Sequence, residues 1–74
     1  MAAPLFDKRR KTLAARVRAL RIERGYSQEA MAHEVGIDRT YQSQIERGVG
    51  NPSLRVLCSI AAVLKVDLVD LLSA

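Results

Sequence analysis

Residues 28–47 read QEAMAHEVGIDRTYQSQIER, and the punctuation of this stretch decides the fold. Ser27, just before it, carries a short hydroxyl suited to accept from the free N–H groups of a helix start, which predicts a helix over 28–35. Glu29 in the first turn complements the positive end of that helix. Gly36 breaks it and permits a sharp turn. Asp38 is a second N-cap and opens a helix over 39–47, which Gly48 stops. Met31, Val35, Ile37 and Ile45 give the pair one apolar side, and the small Ala32 lets the two helices approach closely.

Toward the N-terminus, Leu13, Val17 and Leu20 recur at i, i+4 and i+7, the signature of one apolar helix face. A first helix is expected over 6–24, with Gly25 in the left-handed position that follows a helix end. Toward the C-terminus, Gly48-Val49-Gly50-Asn51-Pro52 is a loop. Ser53 caps a fourth helix over 54–64. Asp67 caps a fifth over 68–73, with Asp70 at capping-box spacing. The expected architecture is all-α: a compact bundle of five helices forming one domain over residues 1–74, with residues 1–5 disordered.

Composition narrows the functional classes. A core built from 74 residues leaves a thin margin of stability. Cys58 is the only cysteine and His33 the only histidine, so neither an internal disulfide nor a structural metal is available, and no cofactor is expected. Cys58 is expected to pack as a small hydrophobe, and His33 to lie on the surface. There is no phosphate-binding glycine loop and no paired acid–base site, which argues against an enzyme. No leader and no apolar run of membrane-spanning length is visible, so the expected location is cytoplasmic.

The formal net charge is +4, a balance suited to nucleic acid. Lys8, Arg9, Arg10, Lys11, Arg16, Arg18, Arg21 and Arg24 crowd into the first third, opposed there only by Asp7 and Glu23. The run Lys8–Lys11 is either a basic arm toward phosphates or the solvated start of the first helix.

Two short helices joined at Gly36 have the length of a helix-turn-helix, whose second helix enters a major groove. Gln28-x-x-x-Ala32-x-x-x-Gly36, then Ile45-Glu46-Arg47-Gly48 and Asn51-Pro52-Ser53-Leu54, resembles the phage-repressor or Xre-like helix-turn-helix family. The likeness covers residues 13–72. Within that family, Asp38-Arg39-Thr40-Tyr41 before Ile45-Glu46-Arg47 resembles the controller proteins of restriction–modification systems. The resemblance implies a regulator of transcription that binds a double-stranded operator as a homodimer. It assigns base reading to Arg39, Thr40, Ser43 and Gln44, and their i, i+4 spacing agrees with one outward face. Arg39 suits guanine, Gln44 adenine and the Thr40 methyl thymine. Gln28, at the start of its helix, and Arg47 are expected on phosphates. Arg21 and Glu46 match a pair that ties the first helix to the third. Position 42, usually a branched aliphatic in the family, is Gln42. Either its amide finds a hydrogen bond, or the helix rotates and Tyr41 takes over part of the packing.

The last two helices carry surplus apolar surface. Leu54, Leu57, Ala61 and Leu64 form a stripe toward the core. Val56, Ile60 and Val63 form a second one, followed by Val66, Leu68, Val69, Leu71 and Leu72. A two-fold interface through Val63, Val66, Val69 and Leu72 would cover the surplus and would place half-sites ~34 Å apart on a palindromic operator. No small-molecule ligand is expected. The alternative to DNA is a protein-interaction module, such as an antitoxin, using the same fold. The scarcity of aromatics, limited to Phe6, Tyr26 and Tyr41, argues against it.

Overall fold

The computed structural model describes residues 3–73, which form five helices: α1 Pro4–Glu23, α2 Gln28–Val35, α3 Arg39–Glu46, α4 Leu54–Leu64 and α5 Leu68–Leu72. Most boundaries follow from local capping chemistry. The hydroxyls of Ser27 and Ser53 accept from the backbone N–H of Ala30 and Val56. Asp38 accepts from the Thr40 N–H at 2.8 Å, and Asp67 and Asp70 form a reciprocal capping box at the start of α5. Gly36 ends α2 at φ +87°, where a Cβ would be strained.

α1 begins earlier than expected. Pro4 stands in its first turn, where a missing N–H costs nothing, so Pro4 and Leu5 are helical rather than disordered. Residues 1 and 2, also assigned to that stretch, lie outside the described residues. The far ends of α3 and α5 fall one residue short of the expected positions, because Arg47 and Ser73 take the C-cap.

One core joins all five helices. Leu13, Val17 and Leu20 of α1 meet Met31 of α2, Ile45 of α3, Ile60, Ala61 and Leu64 of α4 and Leu71 of α5. α1 packs along α3 and α5, and α2 along α3 and α4. Two helices, α1 and α2, therefore brace α3, whose outer side stays open.

The structure corrects the expected rotation of α4. Ile60, assigned to the surplus stripe, is completely buried, while Leu54, assigned to the core, is 66% exposed. Leu54, one turn before the exposed Cys58, lies on the outward side of α4. Cys58 is exposed, on the outward track of Leu54, Ala62 and Lys65, and does not pack in the core. Leu71, likewise assigned to the surplus, is completely buried, and with both absorbed less apolar surface is left over. Val63, Val66 and Leu72 are half-buried against the core, and Val69 stands out at 65% exposure.

The positive charge of α1 also has an unexpected use. Arg9 Nη1 donates to the Leu72 carbonyl at 3.3 Å and Arg16 Nε to the Asp70 carbonyl at 2.9 Å. Arg24 Nε donates to the Leu64 carbonyl at 3.1 Å. These guanidinium groups satisfy carbonyls at the ends of α5 and α4, which carry partial negative charge. Arg10 pairs with Asp7 at 3.1 Å and lies over the Phe6 ring. The run Lys8–Lys11 is therefore the start of a helix, and two of its four cations are engaged within the bundle. Among the described residues, no helix is long and apolar enough to cross a membrane.

Candidate nucleic-acid interface

The outer side of α3 and the first residue of α2 together shape a polar depression of about 200 Å³, lined by Gln28, Arg39, Thr40, Ser43 and Arg47. Two helices far apart in role meet here because the turn at Gly36 folds α2 back against α3. Arg39, Thr40 and Arg47 are exposed and Ser43 is half-buried. Two guanidinium groups, two hydroxyls and an amide thus converge on one site, a donor-rich set suited to phosphate and base edges. Gln44, grouped with these residues in the sequence reading, does not line the depression. It is half-buried on a neighbouring track of α3, beside the half-buried Tyr41.

Beneath this surface lies a buried polar cluster centred on Glu46. Its side chain is 2% exposed and that of Arg21 10%. Arg21 Nε donates to Glu46 Oε2 at 2.8 Å, and Arg21 Nη1 to the Tyr26 carbonyl at 2.8 Å. Gln42, fully buried, donates through Nε2 to Glu46 Oε2 at 2.7 Å. Gln28 donates through Nε2 to Glu46 Oε1 at 3.3 Å. One carboxylate thus ties α1, α2 and α3 together. Burial pushes the Glu46 carboxyl up, but the hydrogen bonds from Arg21, Gln42 and Gln28 and the charge of Arg21 outweigh it and hold it below its ordinary value.

Of the two outcomes open for Gln42, the structure shows the hydrogen bond. The match is incomplete, because Gln42 Oε1 is buried without a partner, a state that costs about 1–3 kcal/mol. Tyr41 also packs against the core, and its hydroxyl donates to the Asn51 carbonyl at 3.4 Å. The involvement of Gln28 in this cluster was not legible in the sequence. Its only signal was the general reach of a glutamine at a helix start.

A second contribution missed by the sequence is the clamp on the end of α3. The N–H groups of Val49 and Gly50 both donate to the Gln44 carbonyl at 3.1 Å. Gly50 is buried, and a Cβ there would lie 3.2 Å from the Ile45 nitrogen. A side chain at that position would push the loop and α3 apart by a few tenths of an ångström.

A family model described as helix-turn-helix, HTH_3, matches residues 17–71. This chain belongs to the HTH_3 family. The HTH-type transcriptional regulator SlrR of Bacillus subtilis strain 168 is 42% identical over 59 residues, covering 78% of this chain and 39% of SlrR. The restriction–modification controller protein C.AhdI from Aeromonas hydrophila has the same fold, with a TM-score of 0.80 and 35% identity over 84% of this chain and 94% of that one. SinR, a master regulator for biofilm formation solved in complex with DNA, gives a TM-score of 0.78 and 37% identity over 82% of this chain and 98% of that one. The chain spans between 39% and 59% of the length of four curated relatives it matches. The HTH_3 match leaves out residues 4–16 of α1, where Arg9 and Arg16 hold the end of α5.

Proposed function

We propose that this protein is a sequence-specific DNA-binding regulator of transcription. The observation that carries the reading is the convergence of Gln28, Arg39, Thr40, Ser43 and Arg47 on the open side of a braced α3. α3 enters a major groove. Gln28 and Arg47 lie at its margins and take phosphates, Arg39, Thr40 and Ser43 face base edges, and Gln44 reaches a base from the neighbouring track. The likeness to SinR, solved with DNA, supports this reading. Binding is by a homodimer on a palindromic operator, with Val69 at the centre of the contact and Val63, Val66 and Leu72 around it. The exposure of Val69 on α5, whose other apolar residues are buried or half-buried, favours that face. The narrower role, control of a restriction–modification operon, is supported by the likeness to C.AhdI. The protein performs no catalysis in this reading.

The test is selection of bound duplexes from a random library at near-physiological salt, followed by sequencing. The expected result is a palindromic consensus, with specific binding lost in Arg39→Ala while binding to random duplex persists. Recovery of no consensus, with binding that disappears as salt rises, would overturn specific recognition and turn the search toward a protein partner.

A further inference from the structure

We propose that Gln42 is a positioning residue for DNA binding. Its buried amide fixes the rotation of the Glu46 carboxylate, and that carboxylate in turn holds the Gln28 side chain at the edge of the polar depression. The inference rests on the reading of the depression as a DNA-contact site and names a residue outside it that sets its geometry.

The Glu46 carboxylate fixes the direction of the Gln42 amide. Exchanging its Nε2 and Oε1 would bring an oxygen to 2.7 Å from Glu46 Oε2, an acceptor facing a carboxylate with no proton between them. The observed orientation is therefore the only one the carboxylate permits. It leaves Oε1 buried and unpartnered. An aliphatic side chain at this fully buried position would avoid that penalty, so the amide is poorly explained by stability alone.

Its neighbours show what the amide does. Glu46 Oε2 receives two donors from different directions, Arg21 Nε from α1 and Gln42 Nε2 from one turn earlier in α3. Arg21 also holds the Tyr26 carbonyl through Nη1, so it contacts the carboxylate through Nε. A single donor on one oxygen leaves the carboxylate free to turn about its Cγ–Cδ bond. A second donor from another direction removes that freedom. Oε1 is then held toward the start of α2, where Gln28 Nε2 reaches it at 3.3 Å, the longest of the three bonds. A bond of that length is sensitive to small rotations of its acceptor. Each Nε2 carries two hydrogens, so an amide anchored by one presents the other to the depression that Gln28 lines with Arg39 and Arg47. Side chains locked in this way by a supporting layer bind with less loss of freedom.

The experiment is a double-mutant cycle on full-length protein with Gln42→Leu, Gln28→Ala and the pair. Affinity is measured against the selected duplex across a salt series, beside urea unfolding of each variant. Gln42→Leu is expected to unfold at a urea midpoint no lower than the parent, yet to bind about three- to tenfold more weakly, the loss of one hydrogen bond. Because Gln28 is uncharged, the salt dependence should stay unchanged in both single variants. The pair should bind no more weakly than Gln28→Ala alone. In the free protein, the Gln28 side-chain amide resonances should move in Gln42→Leu while the Arg21 Nε–H resonance persists. Additive losses in the pair, parental affinity in Gln42→Leu, or unmoved Gln28 resonances would overturn the proposal. If Gln42→Leu does not fold, Gln42→Met keeps the length without the amide and carries the same expectations. If Gln28→Ala and Arg47→Ala both bind as the parent does, the depression is not a DNA site, and the earlier reading fails together with this one.

Discussion

Replacing Glu46 by leucine strands three donors at once and tests whether the buried cluster holds the bundle together. Arg21, 10% exposed at its side chain, loses its carboxylate, and a buried charge left without a partner costs about 3–5 kcal/mol. Gln42, fully buried, loses the one bond its amide makes, adding about 1–3 kcal/mol. Leucine returns about 1.5–3 kcal/mol through apolar burial. The net loss is then roughly 1–6.5 kcal/mol, against a total stability on the order of 4–11 kcal/mol for 74 residues. Arg21→Met should cost less, because Glu46 keeps two amide donors. Gln42→Leu should lie near zero, because it removes both a hydrogen bond and an unpartnered oxygen. The assay is urea unfolding of the three variants at neutral pH, followed by circular dichroism. The expected order of loss is Glu46→Leu, then Arg21→Met, then Gln42→Leu. A Glu46→Leu variant within about 1 kcal/mol of the parent would refute the reasoning, as would Gln42→Leu proving as costly as Glu46→Leu.

Acid should expose the same cluster. Glu46 titrates below its ordinary value of 4.5 in the folded protein, so its contribution to stability is complete above that value and is lost as pH falls through the lower folded value. Unfolding followed from pH 6 downward should show a decline beginning near that point, and Glu46→Gln should lack this component. Gly50→Ala should destabilise by about 1–3 kcal/mol through overpacking against the Ile45 backbone, because the Cβ would lie 3.2 Å from a backbone nitrogen; an unchanged melting temperature would show that the loop yields freely. Val69→Asp, at a position 65% exposed, should leave the melting temperature of the monomer unchanged and abolish the dimer in sedimentation. A variant that still sediments as a dimer would move the interface elsewhere.

The helices were legible because their signals are local. Ser27, Asp38, Ser53 and Asp67 each satisfy backbone groups two or three residues away, so short-range sequence suffices to place them. The turn at Gly36 is equally local, resting on one left-handed residue. Periodicity also found the buried side of α1, a helix of 20 residues, long enough for its pattern to average over irregularities. On α4, with 11 residues, two apolar stripes competed. The choice between them depended on where α1, α2 and α5 press, which no local pattern contains, and Leu54 and Ile60 were exchanged as a result.

The candidate site divides along the same line. That Arg39, Thr40 and Ser43 share an outward face follows from helical spacing alone. That Gln28 and Arg47 border the same depression requires the angle between α2 and α3. The arginines of α1 give the clearest contrast, since as sequence they are a basic run suited to phosphates. In the bundle, Arg9, Arg16 and Arg24 lie against carbonyls 40 to 63 residues away, and Arg21 is bound to Glu46 25 residues away. Sequence by itself determined the elements, their caps and the polar character of α3, because those depend on neighbours within a turn or two. Only the tertiary structure decided which charges face outward and which close the bundle, because a guanidinium group pairs with whatever acceptor the packing brings within its reach.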